Sequence, residues 1–328
     1  MTQTYFLGAN SKDGFVSLYE EFPPAPEDYL HIIKGGPGTG KSTFMRKIAQ
    51  AALDHGLDVH YVLCSGDPDS LDGVYLPQRH VAWVDGTAPH VREPHCFAGD
   101  SDYVNIGIFC RGPLSDPDAQ RVKELTASYQ ALYQEAYSFL RAAAALVWEV
   151  PVPPLAETGI RSQIDVLLRP EDGAASITGR QSRRFLRALS CQGDCRLSGE
   201  ISNLCKFIYR VDTPALLYAL DRWTGDCILC PSPLDPQQPE ALLIPERSLA
   251  FVASDWCLPG ARALASVGPL PADLAELRQL RQRLLELSFQ RLRSAKLLHD
   301  QLEAVYRPYV DFDALAAFTE AQIAALFS

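Results

Sequence analysis

The feature that most constrains this chain is a glycine-rich segment, LHIIKGGPGTGKST, at residues 30–43. It fits the pattern G-x-x-x-x-G-K-[ST]. The apolar run from Tyr29 to Ile33 before it predicts a β-strand, and the apolar spacing from Thr43 to His55 after it predicts an α-helix. A strand, a glycine-rich turn and a helix in this order indicate a phosphate-binding loop, or P-loop.

Each residue type in the loop has a chemical task. Glycines let backbone N–H groups curve around phosphate oxygens, and the helix N-terminus adds its positive end. We expect Lys41 to place its ammonium on the β- and γ-phosphates and Ser42 to ligate Mg²⁺ through its hydroxyl. The predicted ATP-binding residues are Gly35, Gly36, Pro37, Gly38, Thr39, Gly40, Lys41, Ser42 and Thr43.

A second acid is needed to hold Mg²⁺, and Asp85 in HVAWVDGTAPH is the candidate. Val81 to Val84 is an apolar strand that delivers this carboxylate at its end, which is the Walker B pattern. Asp58 to Cys64 predicts a further strand. The sequence therefore predicts an α/β fold of the P-loop NTPase type, with a doubly wound, mainly parallel sheet whose ligand crevice lies at the carboxyl ends of its strands.

The residue after Asp85 is Gly86, where many ATP-hydrolysing enzymes carry a glutamate that activates water. We therefore predict His90 as the third catalytic residue, beside Lys41 and Asp85. No N-K-x-D tetrad follows the loop, so ATP is favoured over GTP as the ligand. Alternative bases, and arginines that could clamp phosphate, are Asp67, Asp69, Asp72, Arg92 and Arg111.

Several segments of the first half recur in the second half in the same chain order. Phe6–Gly14 matches Phe185–Gly193, and Leu76–Val84 matches Ile244–Val252. The distance between matching segments falls along the chain, which predicts a tandem duplication with deletions in the second copy.

Only the first copy carries the phosphate-binding residues. Aligning residues 32–34 with 208–210 sets Leu217 opposite Lys41 and Tyr218 opposite Ser42, and the match of 76–84 with 244–252 sets Ala253 opposite Asp85. A segment without glycine or lysine cannot wrap phosphates in the same way. The second copy is therefore predicted to be a degenerate P-loop-like domain without a phosphate site.

Each copy ends in long helices. Apolar residues three and four positions apart predict helices over 118–149 and 271–306, and a shorter one over 155–168. The stripes favour packing within the chain, with a homo-oligomer through these helices as the alternative. We thus predict a P-loop domain at 1–172, a linker at 173–179 and a degenerate domain at 180–328.

Composition limits the partners. The formal net charge is −10, and the whole acidic excess lies in residues 1–172, which disfavours nucleic acid and anionic membranes. No export signal or long apolar span is visible, and nine cysteines in such a chain indicate reduced thiols, so we expect a cytoplasmic protein. Cys227 and Cys230 favour buried thiols, with zinc binding as the alternative.

The chain resembles a poorly characterised bacterial family of tandem P-loop proteins, described only as ATPases or ATP-binding proteins. The pieces that carry the resemblance are FLGANSKDGFVS, GGPGTGKST, CSGDPDSLDGVYLP, VDGTAPH and AYSFLRAAAA. In that family both halves often look like P-loop domains, whereas here the second departs from the pattern.

The leading functional hypothesis is a Mg·ATP-dependent ATPase with a single site, in which Ser42 and Asp85 hold the metal. The alternatives are a small-molecule kinase that uses the same site and a nucleotide-gated interaction protein with little turnover. The small molecule or protein partner coupled to ATP is not specified by the sequence.

Overall fold

The computed structural model describes residues 1–146, 154–169, 179–264 and 272–328. Within these ranges the chain is an α/β protein with two mixed, mostly parallel sheets. The predicted linker at 173–179 lies outside the described residues except for Gly179.

The first sheet contains six strands and is built by the N-terminal half. Its strand order is β1-β5-β6-β7-β4-β8. The elements of this half are β1 (Gln3–Phe6), β2 (Gly8–Ser11), β3 (Gly14–Ser17), β4 (Tyr29–Lys34), α1 (Lys41–Asp54), β5 (His60–Leu63), β6 (Leu71–Leu76), β7 (Val81–Asp85), β8 (Ser101–Asn105), α2 (Asp116–Ala145) and α3 (Pro154–Leu168).

The second sheet also contains six strands and has the order β9-β13-β14-β15-β12-β16. Strand for strand, its pairings are parallel and antiparallel at the same places as in the first sheet. The elements are β9 (Gln181–Arg183), β10 (Arg187–Ser190), β11 (Gly193–Arg196), α4 (Ser198–Leu204), β12 (Phe207–Val211), α5 (Thr213–Arg222), β13 (Cys227–Pro231), β14 (Pro239–Ile244), β15 (Leu249–Ala253), β16 (Arg262–Ala263), α6 (Ala272–Tyr306) and α7 (Phe312–Leu326).

One strand in each sheet runs against the others. In the first sheet it is β6, which lies between β5 and β7 and is antiparallel to both. This strand is absent from the elements that the sequence predicts, although all six of its residues are buried. Because both of its faces are buried, the strand carries no alternation of polar and apolar residues that would predict it.

The two faces of the first sheet have different neighbours. Ile33 and Trp83 face α1 and α7 in one core, whereas Ile32 and Val84 belong to a second core. This alternation is what a strand buried on both faces requires. The second core also contains Val252 and other residues of the second sheet, so the inner faces of both sheets contribute to one shared core. Helices α3 and α5 cover the outer face of the second sheet.

The two halves meet around a reciprocal pair of backbone hydrogen bonds. Phe6 N–H donates to Phe185 O, and Phe185 N–H donates to Phe6 O, both at 2.9 Å. The two hairpins that follow, β2–β3 and β10–β11, have the same register and the same serine-to-glycine contact at the turn. Each hairpin tip also donates one N–H to a loop of the other half, Lys12 to Leu234 O and Cys191 to Gly66 O.

The long helices pack within the chain. Helices α2 and α6 lie along each other, and Leu140 and Leu292 are buried at their contact. Helix α7 packs on α1 and adds Leu315 to the core of the first sheet. The predicted second unit, 180–328, therefore gives its last helix to the first unit. Among the described helices, none combines the length and the apolar character that crossing a bilayer requires.

We expect Leu140→Ala to lower the free energy of unfolding by about 2–5 kcal/mol, because it leaves a cavity between α2 and α6. Leu140 is fully buried, whereas Leu297 on α6 is 64% exposed and serves as the matched control. Leu297→Ala should change the free energy of unfolding by less than about 0.5 kcal/mol. Urea denaturation of both variants measures the difference, and equal losses would contradict the packing described.

Candidate functional site

The glycine-rich segment forms the connection between β4 and α1. Strand β4 ends at Lys34 and the helix begins at Lys41, as the sequence predicts within two residues. Gly38 and Gly40 have φ of 67° and 94°, in the left-handed region that favours glycine. Among the described residues no side chain caps the N-terminus of α1, so its first N–H groups remain available to an anion.

Lys41 is held at the centre of the loop. Its Nζ donates to Gly35 O and Gly36 O, both at 2.9 Å, and lies 3.6 Å from Asp85 Oδ2. The contact with Asp85 follows from the sheet, because β4 and β7 are parallel neighbours and both residues lie near the carboxyl ends of these strands. The structure thus brings together the two charged residues that the sequence singled out.

Asp85 and Ser42 have ordered surroundings. Asp85 Oδ1 accepts hydrogen bonds from Thr87 N and Thr87 Oγ1, at 2.9 and 2.6 Å, which leaves Oδ2 toward Lys41. Ser42 Oγ accepts the N–H of Leu71 at 3.0 Å. A hydroxyl oxygen has two lone pairs, so one remains for a metal ion. Ser42 and Asp85 provide the hard oxygen donors that suit Mg²⁺.

The position after Asp85 requires glycine for a steric reason. A Cβ on Gly86 would lie 2.3 Å from Ile32 Cγ2, on the neighbouring strand β4. Ile32 is fully buried in the core that the two sheets share. A glutamate therefore does not fit at position 86, which explains why none follows Asp85 in the sequence.

The alternative bases and arginines are mostly engaged elsewhere. Asp67 lies 3.3 Å from Lys296 of α6, and the carboxylate of Asp69 accepts a hydrogen bond from Gln192. The side chains of the two arginines also have partners away from the loop carbonyls: Arg92 contacts Glu20 and Phe22 O, and Arg111 contacts Asp311.

His90 lies in a buried polar cluster with Cys64 and Asp72. His90 Nε2 is 3.2 Å from Asp72 Oδ2, which also accepts the hydroxyl of Tyr19 at 2.8 Å. Burial raises the pKa of both the Cys64 thiol and the Asp72 carboxyl. The ring of Phe15 packs edge-on against the imidazole. The sequence proposed Asp72 and His90 separately and gave Cys64 no role.

Helices α6 and α7 contact the glycine-rich loop. A Cβ on Gly38 would meet the Cβ and the carbonyl oxygen of Glu303 at 3.0 Å, and a Cβ on Gly40 would meet Leu315 Cδ2 at 2.9 Å. Glu303 lies near the end of α6 and Leu315 lies on α7. Sequence reasoning missed these residues because they are more than 260 positions away along the chain.

The second sheet has no counterpart of the loop. Strand β12 ends at Val211, Asp212 caps the next helix, and α5 begins at Thr213. The register of β12 against β15 pairs Val211 with Ala253, just as Ile33 pairs with Asp85. The predicted alignment of residues 32–34 with 208–210 is therefore two positions wrong. Leu217 and Tyr218 lie within α5 and not in a loop, and Ala253 has the register position in the second sheet that Asp85 has in the first.

A cavity of about 410 Å³ lies away from the loop, between residues 20–26 and 180–184. Its wall carries opposite charges, and Arg183 pairs with Glu21 across it.

Cys227 and Cys230, the predicted buried thiols, are both buried in β13.

Comparisons with known protein families, with curated proteins and with solved structures return no match to this chain. A function for this chain is therefore inferred from the geometry of the site.

We expect Gly86→Ala to destabilise the protein by about 1–3 kcal/mol, because the new methyl group collides with buried Ile32 and the core must shift. Gly199 in α4 has nothing within 4 Å of its added Cβ, so Gly199→Ala is the control. That change should be neutral or stabilising by up to about 1 kcal/mol, since alanine favours a helix over glycine. Thermal and urea unfolding of both variants test this, and a wild-type stability for Gly86→Ala would refute the steric explanation.

Proposed function

We propose that the protein binds Mg·ATP at the connection between β4 and α1 and hydrolyses it there. The observation that carries the proposal is the position of Lys41, which lies between two loop carbonyls and 3.6 Å from Asp85 at an uncapped helix N-terminus. A lysine, a carboxylate and free backbone N–H groups around one point are the elements that bind a nucleotide triphosphate and its metal.

The roles follow from the donors. Backbone N–H groups of residues 35, 36 and 38–40 and of the start of α1 bind phosphate oxygens, and Lys41 neutralises their charge. Ser42 and Asp85 hold Mg²⁺, which when bound offsets charge on the β- and γ-phosphates. Lys41 must then exchange its bonds to Gly35 O and Gly36 O for bonds to phosphate. His90 is part of the buried cluster with Asp72, so the proposal assigns the base for water to no residue.

We infer a tandem duplication with one nucleotide site. The equal strand orders and the matched hairpins support two copies of one P-loop-type unit. The missing loop and Ala253 in the second sheet support a single site. This arrangement agrees with the resemblance to tandem P-loop ATPases. The nine free cysteines suit a reducing, ATP-rich compartment such as the cytoplasm.

Two other reactions would use the same site. A small-molecule kinase transfers the γ-phosphoryl group to an acceptor, and a nucleotide-gated interaction protein uses binding alone. The contacts of Glu303 and Leu315 with the loop favour the gated protein as the second candidate, because ATP binding would act directly on α6 and α7. ADP release without added acceptor supports hydrolysis, release only with a metabolite supports the kinase, and tight binding without turnover supports the gated protein.

We expect Mg·ATP to raise the melting temperature of the wild type, since a ligand that binds the native state stabilises it. Lys41→Ala should weaken ATP binding by about 30- to 150-fold, the equivalent of about 2–3 kcal/mol for a hydrogen bond to a charged group. Lys47→Ala, an exposed lysine on the same helix, is the control and should bind as the wild type does. Calorimetry gives the affinities. A wild type that binds neither ATP nor GTP, and whose melting temperature neither nucleotide raises, would refute the proposal.

Asp85→Asn should reduce the dependence of ATP binding on Mg²⁺, because it removes a carboxylate ligand. We expect the ratio of the dissociation constants in EDTA and in Mg²⁺ to fall about tenfold, which corresponds to about 1.4 kcal/mol. Asp13→Asn changes an exposed carboxylate in the β2–β3 turn and is the control. An unchanged ratio in Asp85→Asn would show that this residue does not hold the metal.

A further inference from the structure

Three metal-binding side chains meet at the carboxyl end of the first sheet. Cys64 directly follows β5, Asp72 is the second residue of β6, and His90 lies in the loop after β7. One thiol, one carboxylate oxygen and one imidazole nitrogen lie within 4.8 Å of one another. Because β6 is antiparallel to its neighbours, its beginning lies beside the ends of β5 and β7, which is how residues distant in sequence come together.

Among the residues that the structure describes, no lysine or arginine forms an ion pair with Asp72. Asp72 is 5% exposed, and the partners of its Oδ2 are the hydroxyl of Tyr19 and the imidazole of His90. The negative charge of Asp85 is near enough to repel a negative charge on Asp72, which raises the pKa of Asp72. Burying an unpaired carboxylate costs several kcal/mol, so Asp72 is neutralised either by a proton or by a positively charged partner.

His90 provides an independent sign of an incomplete site. It is 7% exposed, and its Nδ1 is buried with no hydrogen-bond partner among the described residues. With its proton on Nδ1, the imidazole presents the lone pair of Nε2 toward Asp72, which is the side on which a metal ion shared by the two residues would lie. An unsatisfied buried polar atom costs about 1–3 kcal/mol, so one is rare without a reason.

The second sheet neutralises the equivalent acid with an arginine. Glu240 of β14 has the same register position as Asp72 of β6. Leu243 pairs with Ile228 as Tyr75 pairs with His60, and each acid lies three residues before the first residue of its pair. The guanidinium of Arg187 at the start of β10 binds Glu240. The first residue of β2 is Gly8, where a Cβ would meet the ring of Phe15 at 2.6 Å. An arginine therefore has no room beside the Cys64–Asp72–His90 cluster.

We propose that Cys64, Asp72 and His90 bind one divalent transition-metal ion, with zinc as the ion that their donors suit best. Thiolate and imidazole ligands select zinc over Mg²⁺ and Ca²⁺, and three protein ligands leave a fourth tetrahedral position open. The Tyr19 hydroxyl, at 2.8 Å from Asp72 Oδ2, orients the carboxylate as an outer partner. This site is distinct from the oxygen-only Mg²⁺ site, and it does not rest on nucleotide binding.

The site adjoins the predicted Mg²⁺ ligands through two consecutive residues. The N–H of Leu71 donates to Ser42 Oγ, and the next residue is Asp72. A metal ion that draws Asp72 toward Cys64 and His90 therefore acts on the segment that holds Ser42.

Full-length, untagged protein stripped with a chelator is titrated with Co²⁺ and with Zn²⁺ in the absence of nucleotide. The expected result is one equivalent bound, with a thiolate-to-cobalt charge-transfer band and the intense visible bands of tetrahedral cobalt. Zn²⁺ should displace the cobalt and raise the melting temperature. Absence of the charge-transfer band in wild-type protein overturns the proposal, and this result does not depend on any variant.

Variants then identify the ligands. Cys64→Ser and His90→Gln should each weaken Zn²⁺ binding at least 100-fold, and Cys64→Ser should abolish the charge-transfer band. Cys96→Ser and His95→Gln, which change an exposed cysteine and an exposed histidine, are the matched controls and should behave as the wild type does. Persistence of the charge-transfer band in Cys64→Ser would place the metal at other cysteines and refute the site.

Discussion

The fold depends on the burial of the inner face of each sheet against a shared core. Ile32 and Val84 are at most 1% exposed on the face of the first sheet opposite α1. Burying one such side chain contributes about 1.5–3 kcal/mol, so exposing the whole face would remove more stability than a domain of this size possesses. The second sheet therefore has a structural role. It covers the face on which the strands that carry Lys41 and Asp85 rest.

The glycine-rich loop between β4 and α1 also depends on contacts with the second half of the chain. Helix α6 starts in the second half, runs along α2 and ends with Glu303 against Gly38, and α7 then places Leu315 against Gly40. The loop is thus packed between its own sheet and the C-terminus of the chain. A change in the conformation of this loop must displace these contacts or be transmitted through them, which links the loop to α6 and α7.

The sequence predicted what local patterns determine and missed what distant contacts determine. The strand before the glycine loop, the helix after it and the strand ending at Asp85 follow from short apolar periods, and they appear within two residues of their predicted bounds. Strand β6 was missed because its side chains are buried on both faces and carry no alternating pattern. The contacts of Glu303 and the meeting of Cys64 with His90 depend on topology, which spacing alone does not encode. The clue available for Cys64 was its position directly after a strand, at the edge where Asp85 was already expected.

The two halves handle the same buried acid in opposite ways, and one steric detail separates them. In the second half, Glu240 is paired with Arg187, whose guanidinium stays positively charged at all ordinary pH values. In the first half the ring of Phe15 fills the space beside Gly8 and packs on His90, so the partner of Asp72 is a group that can be exchanged. In the second sheet the acid is therefore held in a fixed ion pair. In the first sheet Asp72, the residue after the one that donates to Ser42 Oγ, has no such partner among the described residues, and the proposed metal ion would supply the positive charge.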